Sequence, residues 1–161
     1  MATKKRTKKY KATAAAAPLT AQEKTARYMR GNKAKNTIPE LLLRSALWEN
    51  GLRGYRLHWR KAPGKPDICY PSRRLAIFVH GCFWHRCPHC QPAFPKSNQP
   101  FWEEKFRRNQ QRDERYKMMY REAGWHQLVI WECQLRDNLD GCITLIRELH
   151  RGVPPSWQVA A

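Results

Sequence analysis

Polar and apolar positions along the chain alternate between two periods, and these divide it into elements. Thr37-Ile38-Pro39-Glu40 has the form of a helix start: a Thr cap, an early Pro, and a Glu three residues after the Thr. The helix it opens runs through Leu41, Leu42, Ser45 and Trp48 and stops at Gly51. Tyr55, Leu57 and Trp59 then alternate with polar residues, which predicts a strand. Pro63-Gly64-Lys65-Pro66 turns the chain into a second strand from Asp67 to Tyr70, and Pro71 to Arg74 turns it again. Leu75 to His80 is an almost unbroken apolar third strand, and Gly81 to Gln99, rich in Cys, His and Pro, reads as irregular. A long helix follows from about Phe101 to Glu122, ended by Gly124. On it Trp102, Phe106, Asn109, Asp113, Tyr116 and Tyr120 share one face. Leu128 to Trp131 predicts a buried strand leading into Glu132-Cys133, and Leu139, Ile143, Ile146 and Leu149 mark a last helix. The order of elements predicts an α/β fold around a small mixed β-sheet flanked by helices.

Composition adds a partner class. The chain has 161 residues, room for one domain with a real core, and carries 31 Lys plus Arg against 13 acids, a net charge of +18. Such an excess favours a polyanion, most simply nucleic acid. Six of the basic residues fall in residues 1–17, without an acid, so this segment reads as a flexible basic arm. Most of the excess remains on residues 18–151, the expected folded domain, in which Pro18 to Lys35 is partly helical and includes Met29. Residues 152–161 read as a loose tail. No apolar run approaches the ~20 residues of a membrane span, and the N-terminus lacks a secretory signal core. The expected location is the cytosol, where the six Cys are reduced and available to metal.

Four groups of residues bear on chemistry. Cys82, Cys87 and Cys90 lie close together, and Cys87-Pro-His-Cys90 has the spacing that lets two thiolates reach one tetrahedral ion. Cys133 is the expected fourth zinc ligand and His89 the reserve, against the alternative of unliganded thiols; Cys69 and Cys142 read as core residues. Asp67 and the end of the third strand at Val79 form a second group, since an acid and another oxygen at adjacent strand ends can hold Mg²⁺ against a phosphate. An Asp after Pro is also a common turn residue. The third group is Phe83-Trp84-His85. The two aromatics either pack under the loop or wedge between bases, a choice that Trp102 shares. His85 is a general base or acid, or a structural or zinc-binding His. The fourth is Asn109 and Asp113, polar groups on an apolar helix face that require partners. Asp113 could orient a His, or simply meet Arg112 or Arg44. Glu40 completes the cap with Thr37 or faces a metal.

Taken together these segments resemble the very short patch repair (Vsr) endonucleases, which nick DNA beside T:G mismatches. The resemblance runs from about Thr25 to Leu149. It rests on Pro63-Gly-Lys-Pro-Asp67, on Ile77-Phe-Val-His-Gly-Cys-Phe-Trp-His85, and on Phe101-Trp102, Asn109 and Arg112-Asp113. Gly124-Trp125 and Val129-Ile-Trp-Glu-Cys133 complete it. It implies a restriction-endonuclease-like fold with a structural zinc. Asp67 and the Val79 carbonyl would bind catalytic Mg²⁺, His85 steered by Asp113 would handle the proton of the attacking water, and Glu40 and His80 would lie in the outer shell. Phe83, Trp84 and Trp102 would intercalate beside the mismatch with Met29, and Asn109 and Arg112 would complete the DNA contact. The implied substrate is double-stranded DNA with a T:G mismatch, acted on by a monomer, with mismatch-repair proteins as candidate partners. Members of the family often place a His among the clustered Cys. Here Cys87 takes that place and Cys90 follows, which suggests a four-Cys site and leaves His89 surplus. The Lys-rich arm also departs from the family's compact start, and would add salt-dependent DNA affinity. The rival readings are a non-catalytic zinc-stabilised nucleic-acid-binding module, a restriction-type nuclease cutting matched DNA, and a basic RNA-associated protein.

Overall fold

The computed structural model describes residues 20–31 and 33–152. The expected basic arm and all of the expected tail beyond Gly152 lie outside the described residues. The elements are α1 (Ala21–Gly31), α2 (Ile38–Glu49), β1 (Arg56–Leu57), β2 (Ile68–Tyr70), β3 (Leu75–His80) and α3 (Cys82–His85). They continue with α4 (Gln99–Glu122), β4 (His126–Trp131), α5 (Glu132–Asp137) and α6 (Leu139–Arg151). No helix among the described residues is long and apolar enough to cross a membrane.

One four-stranded mixed sheet in the order β1-β2-β3-β4 organises the molecule. A single 3-10 turn at Pro71–Arg73, closed by Arg74 in left-handed backbone, joins β2 to β3 as antiparallel neighbours. β3 and β4 are parallel, with Leu75 opposite His126 and His80 opposite Trp131. A parallel pair needs a crossover, and α4 lies within it.

The apolar run of β3 follows from burial on both faces. Leu75 and Ile77 join Leu128 and Ile130 of β4, Leu43 and Leu47 of α2, and Ile143 and Ile146 of α6 in the larger core. Ala76 and Phe78 point the other way, to Tyr120 of α4. The period of two thus divides one strand between two helical layers.

Three local differences from the sequence-based expectation have physical causes. The strand expected over Tyr55–Trp59 is only Arg56–Leu57, because His58 adopts left-handed backbone (φ 46°) and leaves the ladder. The segment expected to be irregular contains α3, a single turn stopped by Arg86 in left-handed backbone (φ 55°). A four-residue helix is too short to show a period. Finally, β4 does not simply end at Glu132-Cys133: the chain turns into α5, where the backbone N–H of Trp131 donates to Gln134 Oε1 at 2.9 Å. Cys69 and Cys142 are buried core residues, as expected.

Candidate active site

The C-terminal end of β3, the start of β2, α2 and α4 border one cleft of about 570 Å³. Lys33, Lys35, Lys65, Lys105 and Arg112 line it, with the acids Glu40, Asp67, Asp113 and Glu132.

Asp67 stands just before β2, and its Oδ2 accepts the backbone N–H of Val79 at 2.8 Å. The acid is thereby tied to the end of β3, and Val79 lines the same cleft. The Asp67 side chain is 19% exposed. Burial, with the nearby Glu40 carboxylate, raises its pKa from 3.8 to about 6, against the opposing effects of the Val79 hydrogen bond, Arg44 and His85. A carboxylate left this short of compensating charge fits a divalent cation.

Glu40 does both things the sequence allowed. Its Oε1 accepts from the Thr37 hydroxyl at 2.9 Å and its Oε2 from the Asn36 N–H at 3.0 Å, which caps α2. It also lines the cleft, where Arg44 Nη2 donates to Oε2 at 2.8 Å. One ligand atom each from Glu40, His58 and Asp67 lie within 4.8 Å of one another. Sequence alone assigns His58 no chemical role. Its only signal was alternation, which put it on the polar face of a strand.

Across the cleft, His85 Nδ1 meets Asp113 Oδ2 at 2.5 Å. For Asp113, burial alone would raise the pKa, but the His85 hydrogen bond, with His85, His80 and Arg112 beside it, brings it below the usual value. An ionised carboxylate only accepts, so the Nδ1 proton of His85 points at Asp113 and Nε2 is left for chemistry. His80 stacks on His85 with ring centroids 3.8 Å apart and planes at 17°. Burial, then the neighbouring His85, pushes the His80 pKa down to about 3, so this ring is neutral at physiological pH.

The α3 turn holds His85 in place and is itself fastened twice. Asn109 Nδ2 donates to the Trp84 carbonyl at 2.8 Å, which answers the question of what a buried Asn does on the apolar face of α4. The Cys82 N–H donates to Glu132 Oε2 at 3.3 Å from the start of α5. Sequence alone assigns Glu132 no role, because a Glu after a strand carries no signal of one.

Phe83, Trp84, Trp102 and Phe106 form an aromatic cluster, with centroids 5.2 Å apart for Phe83–Trp102 and 6.0 Å for Trp84–Trp102. Phe83 and Trp84 are half-buried, whereas Trp102 is 3% exposed and forms the floor beneath them. Met29 is half-buried on α1, and the adjoining Thr25 hydroxyl accepts from Asn98 Nδ2 at 3.3 Å. Arg112 is exposed, with Nη2 3.5 Å from Asp113 Oδ1.

Cys82, Cys87, Cys90 and Cys133 bring four sulfurs within 4.8 Å of one another, and His89 is not part of this group. All four thiols are free, and the Sγ atoms of Cys87 and Cys133 are 3.7 Å apart. A disulfide would need ~2.05 Å. A tetrahedron with Zn–S bonds of ~2.3 Å has an edge of about 3.8 Å, which the Cys87–Cys133 separation matches, so the cluster could hold a structural zinc.

The family model described as DNA mismatch endonuclease Vsr matches residues 19–91. That stretch contains Glu40, Asp67, Val79, His80 and His85. The type II nicking enzyme V.XorIIP of Xanthomonas oryzae pv. oryzae is 45% identical over 105 residues, covering 65% of this chain and 76% of that protein. The type II nicking enzyme V.NaeI of Lentzea aerocolonigenes is 37% identical over 146 residues, covering 87% and 86%. The DNA mismatch endonuclease Vsr of Escherichia coli K12 is 39% identical over 109 residues, covering 67% and 69%. With this family model matched and relatives 37–45% identical over two thirds or more of their own length, the chain belongs to the Vsr family of DNA mismatch endonucleases.

Proposed function

We propose that this endonuclease nicks one DNA strand beside T:G mismatches, with Mg²⁺ at Asp67, as a step of very short patch mismatch repair. One observation carries the reading: the His85–Asp113 pair and the partly buried Asp67 carboxylate line a single cleft together with several basic side chains.

Asp67 and the Val79 carbonyl would hold Mg²⁺, with Glu40 and His80 in its outer shell. When bound, the cation withdraws negative charge from the scissile phosphate as it builds up in the transition state. The lysines and Arg112 neutralise flanking phosphates and hold the strand in register. Asp113 keeps the His85 ring in one tautomer, so that Nε2 can take or return the proton of the attacking water. His80, neutral and stacked, holds the His85 ring plane without competing for that proton. Phe83 and Trp84 are the cluster's accessible members and would wedge beside the mismatch with Met29. Trp102 would have to leave its buried place to enter the base stack, and in this arrangement it supports the other two. Asn109 acts through Trp84, and Arg112 through phosphate. Zinc would be structural, held by Cys82, Cys87, Cys90 and Cys133. It would pin α3 to α5 and so fix the turn that carries His85.

The direct test is incubation of T:G-mismatched and matched duplexes with the protein and Mg²⁺. Nicking of the mismatched duplex, lost in Asp67→Ala and His85→Ala, is expected. Binding without hydrolysis would sink the enzyme reading. Two of the three relatives described above bear the name type II nicking enzyme. That favours one second reading, a restriction-type nuclease that cuts matched DNA, and equal nicking of matched DNA would support it.

A further inference from the structure

His58 lines the cleft, and the proposed function leaves it without work. It follows β1 in left-handed backbone, at a position where an ordinary residue is uncommon. That turn brings its ring between α2 and β2. Nε2 lies 3.2 Å from Arg44 Nη2 and 3.8 Å from Glu40 Oε2, while Nδ1 lies 3.7 Å from Asp67 Oδ1.

Donor and acceptor logic orders this group. A guanidinium only donates, so His58 Nε2 must accept from Arg44. The ring's single proton then sits on Nδ1, on the side of Asp67. Arg44 is itself held by Glu40 at 2.8 Å and by Asn36 Oδ1 at 2.6 Å, and is almost buried. Its orientation is therefore set by α2 and not by His58. Asp67 has one oxygen committed to the Val79 N–H, and His58 Nδ1 lies 3.7 Å from the other, an electrostatic contact longer than a hydrogen bond.

We propose that His58 is a positioning residue for the metal-binding acid: the chain Glu40–Arg44–His58 turns an N–H toward Asp67 Oδ1 and so holds the carboxylate plane against β3. The same arrangement excludes His58 as a metal ligand, because its one lone pair is taken by Arg44. An amide can present a donor and an acceptor in a similar way, whereas an ammonium cannot. Gln is thus the conservative replacement, Lys and Ala the disruptive ones.

This inference deepens the proposed magnesium site and rests on it for its effect on nicking, but the tautomer can be read without metal or DNA. In two-bond nitrogen–proton spectra of ¹⁵N-histidine-labelled, magnesium-free protein, the resonances lost in His58→Gln identify His58. They are expected to show a proton on Nδ1; a proton on Nε2 overturns the inference whatever the protein's activity. The second reading is the Mg²⁺ concentration giving half-maximal nicking of a T:G duplex. Supporting groups of this kind contribute roughly 10- to 100-fold to metal affinity. His58→Ala and His58→Lys should raise that concentration by such a factor with DNA affinity unchanged, and His58→Gln should restore most of it. Equal Mg²⁺ dependence in wild type and His58→Ala, or a loss that Gln shares fully, also overturns it. Failure of the wild type itself to nick with Mg²⁺ would refute the proposed function, and the tautomer would still decide the Arg44–His58 chain.

Discussion

Replacing Asp67 with Asn should make the protein more stable as it makes it inactive. Burial raises the pKa of the Asp67 carboxyl from 3.8 to about 6 in the folded protein. At ~1.4 kcal/mol for each tenfold change in proton affinity, the fold opposes the ionised form by about 3 kcal/mol. The sign follows from linkage. The folded protein binds this proton more tightly than the unfolded chain, so the acid costs stability increasingly as pH rises from about 4, and fully above about 6. Asn keeps an oxygen that can accept the Val79 N–H but carries no charge, and it gives up the attraction to Arg44. A net gain of about 2 kcal/mol at pH 7.5 remains, or roughly 4–8 °C in Tm for a domain of this size. Thermal or urea unfolding, followed by tryptophan fluorescence in magnesium-free buffer without chelator, measures it. The gain should shrink as pH falls to 4. Millimolar Mg²⁺ should raise the Tm of the wild type and leave Asp67→Asn where it was. An Asn variant no more stable than wild type at pH 7.5, or a difference independent of pH, would refute the claim that the acid is held against its own solvation.

Other consequences can be measured separately. Asp113→Asn removes the carboxylate that sets the His85 tautomer and should slow single-turnover nicking by roughly 10²–10⁴-fold, with DNA affinity little changed in gel-shift titrations. Asn109→Ala leaves the Trp84 carbonyl without its donor and should cost about 1–2 kcal/mol in urea unfolding, together with slower nicking as the α3 turn loosens. Cys133→Ser should lower the zinc content found by elemental analysis well below one equivalent and reduce the unfolding midpoint, because Cys133 joins α5 to the α3 loop. Retention of a full equivalent with native stability would remove it from the ligand set.

Much of the architecture is written in short stretches of the chain. The Thr37 cap and the Glu three residues later mark the start of α2, and the unbroken run Leu75–His80 announces a strand with no solvent face. The α4 face from Trp102 to Tyr120 contains the buried Trp102, Phe106, Asn109 and Tyr120. These signals are local: capping joins residues three apart, and burial imposes periods of 2 or 3.6 within one element. The Cys spacing is local as well, since a ligand pair must reach one ion.

The site itself depends on distances between elements, which no period encodes. Asp67 meets Val79 because β2 and β3 pair in one register, and His85 meets Asp113, 28 residues on, because Asn109 fastens α3 to α4. His58 illustrates the limit most clearly: alternation assigned it to a strand, and its left-handed backbone instead turned it beside Asp67. Packing also decided between readings the sequence held open, making Trp102 the floor of its cluster and giving Glu40 both a cap and a place in the cleft. Residue types and local spacing thus determined which chemistry the chain could carry. Only the tertiary structure determined which groups share a cleft, because their pKa values, tautomers and exposure arise from neighbours distant in sequence.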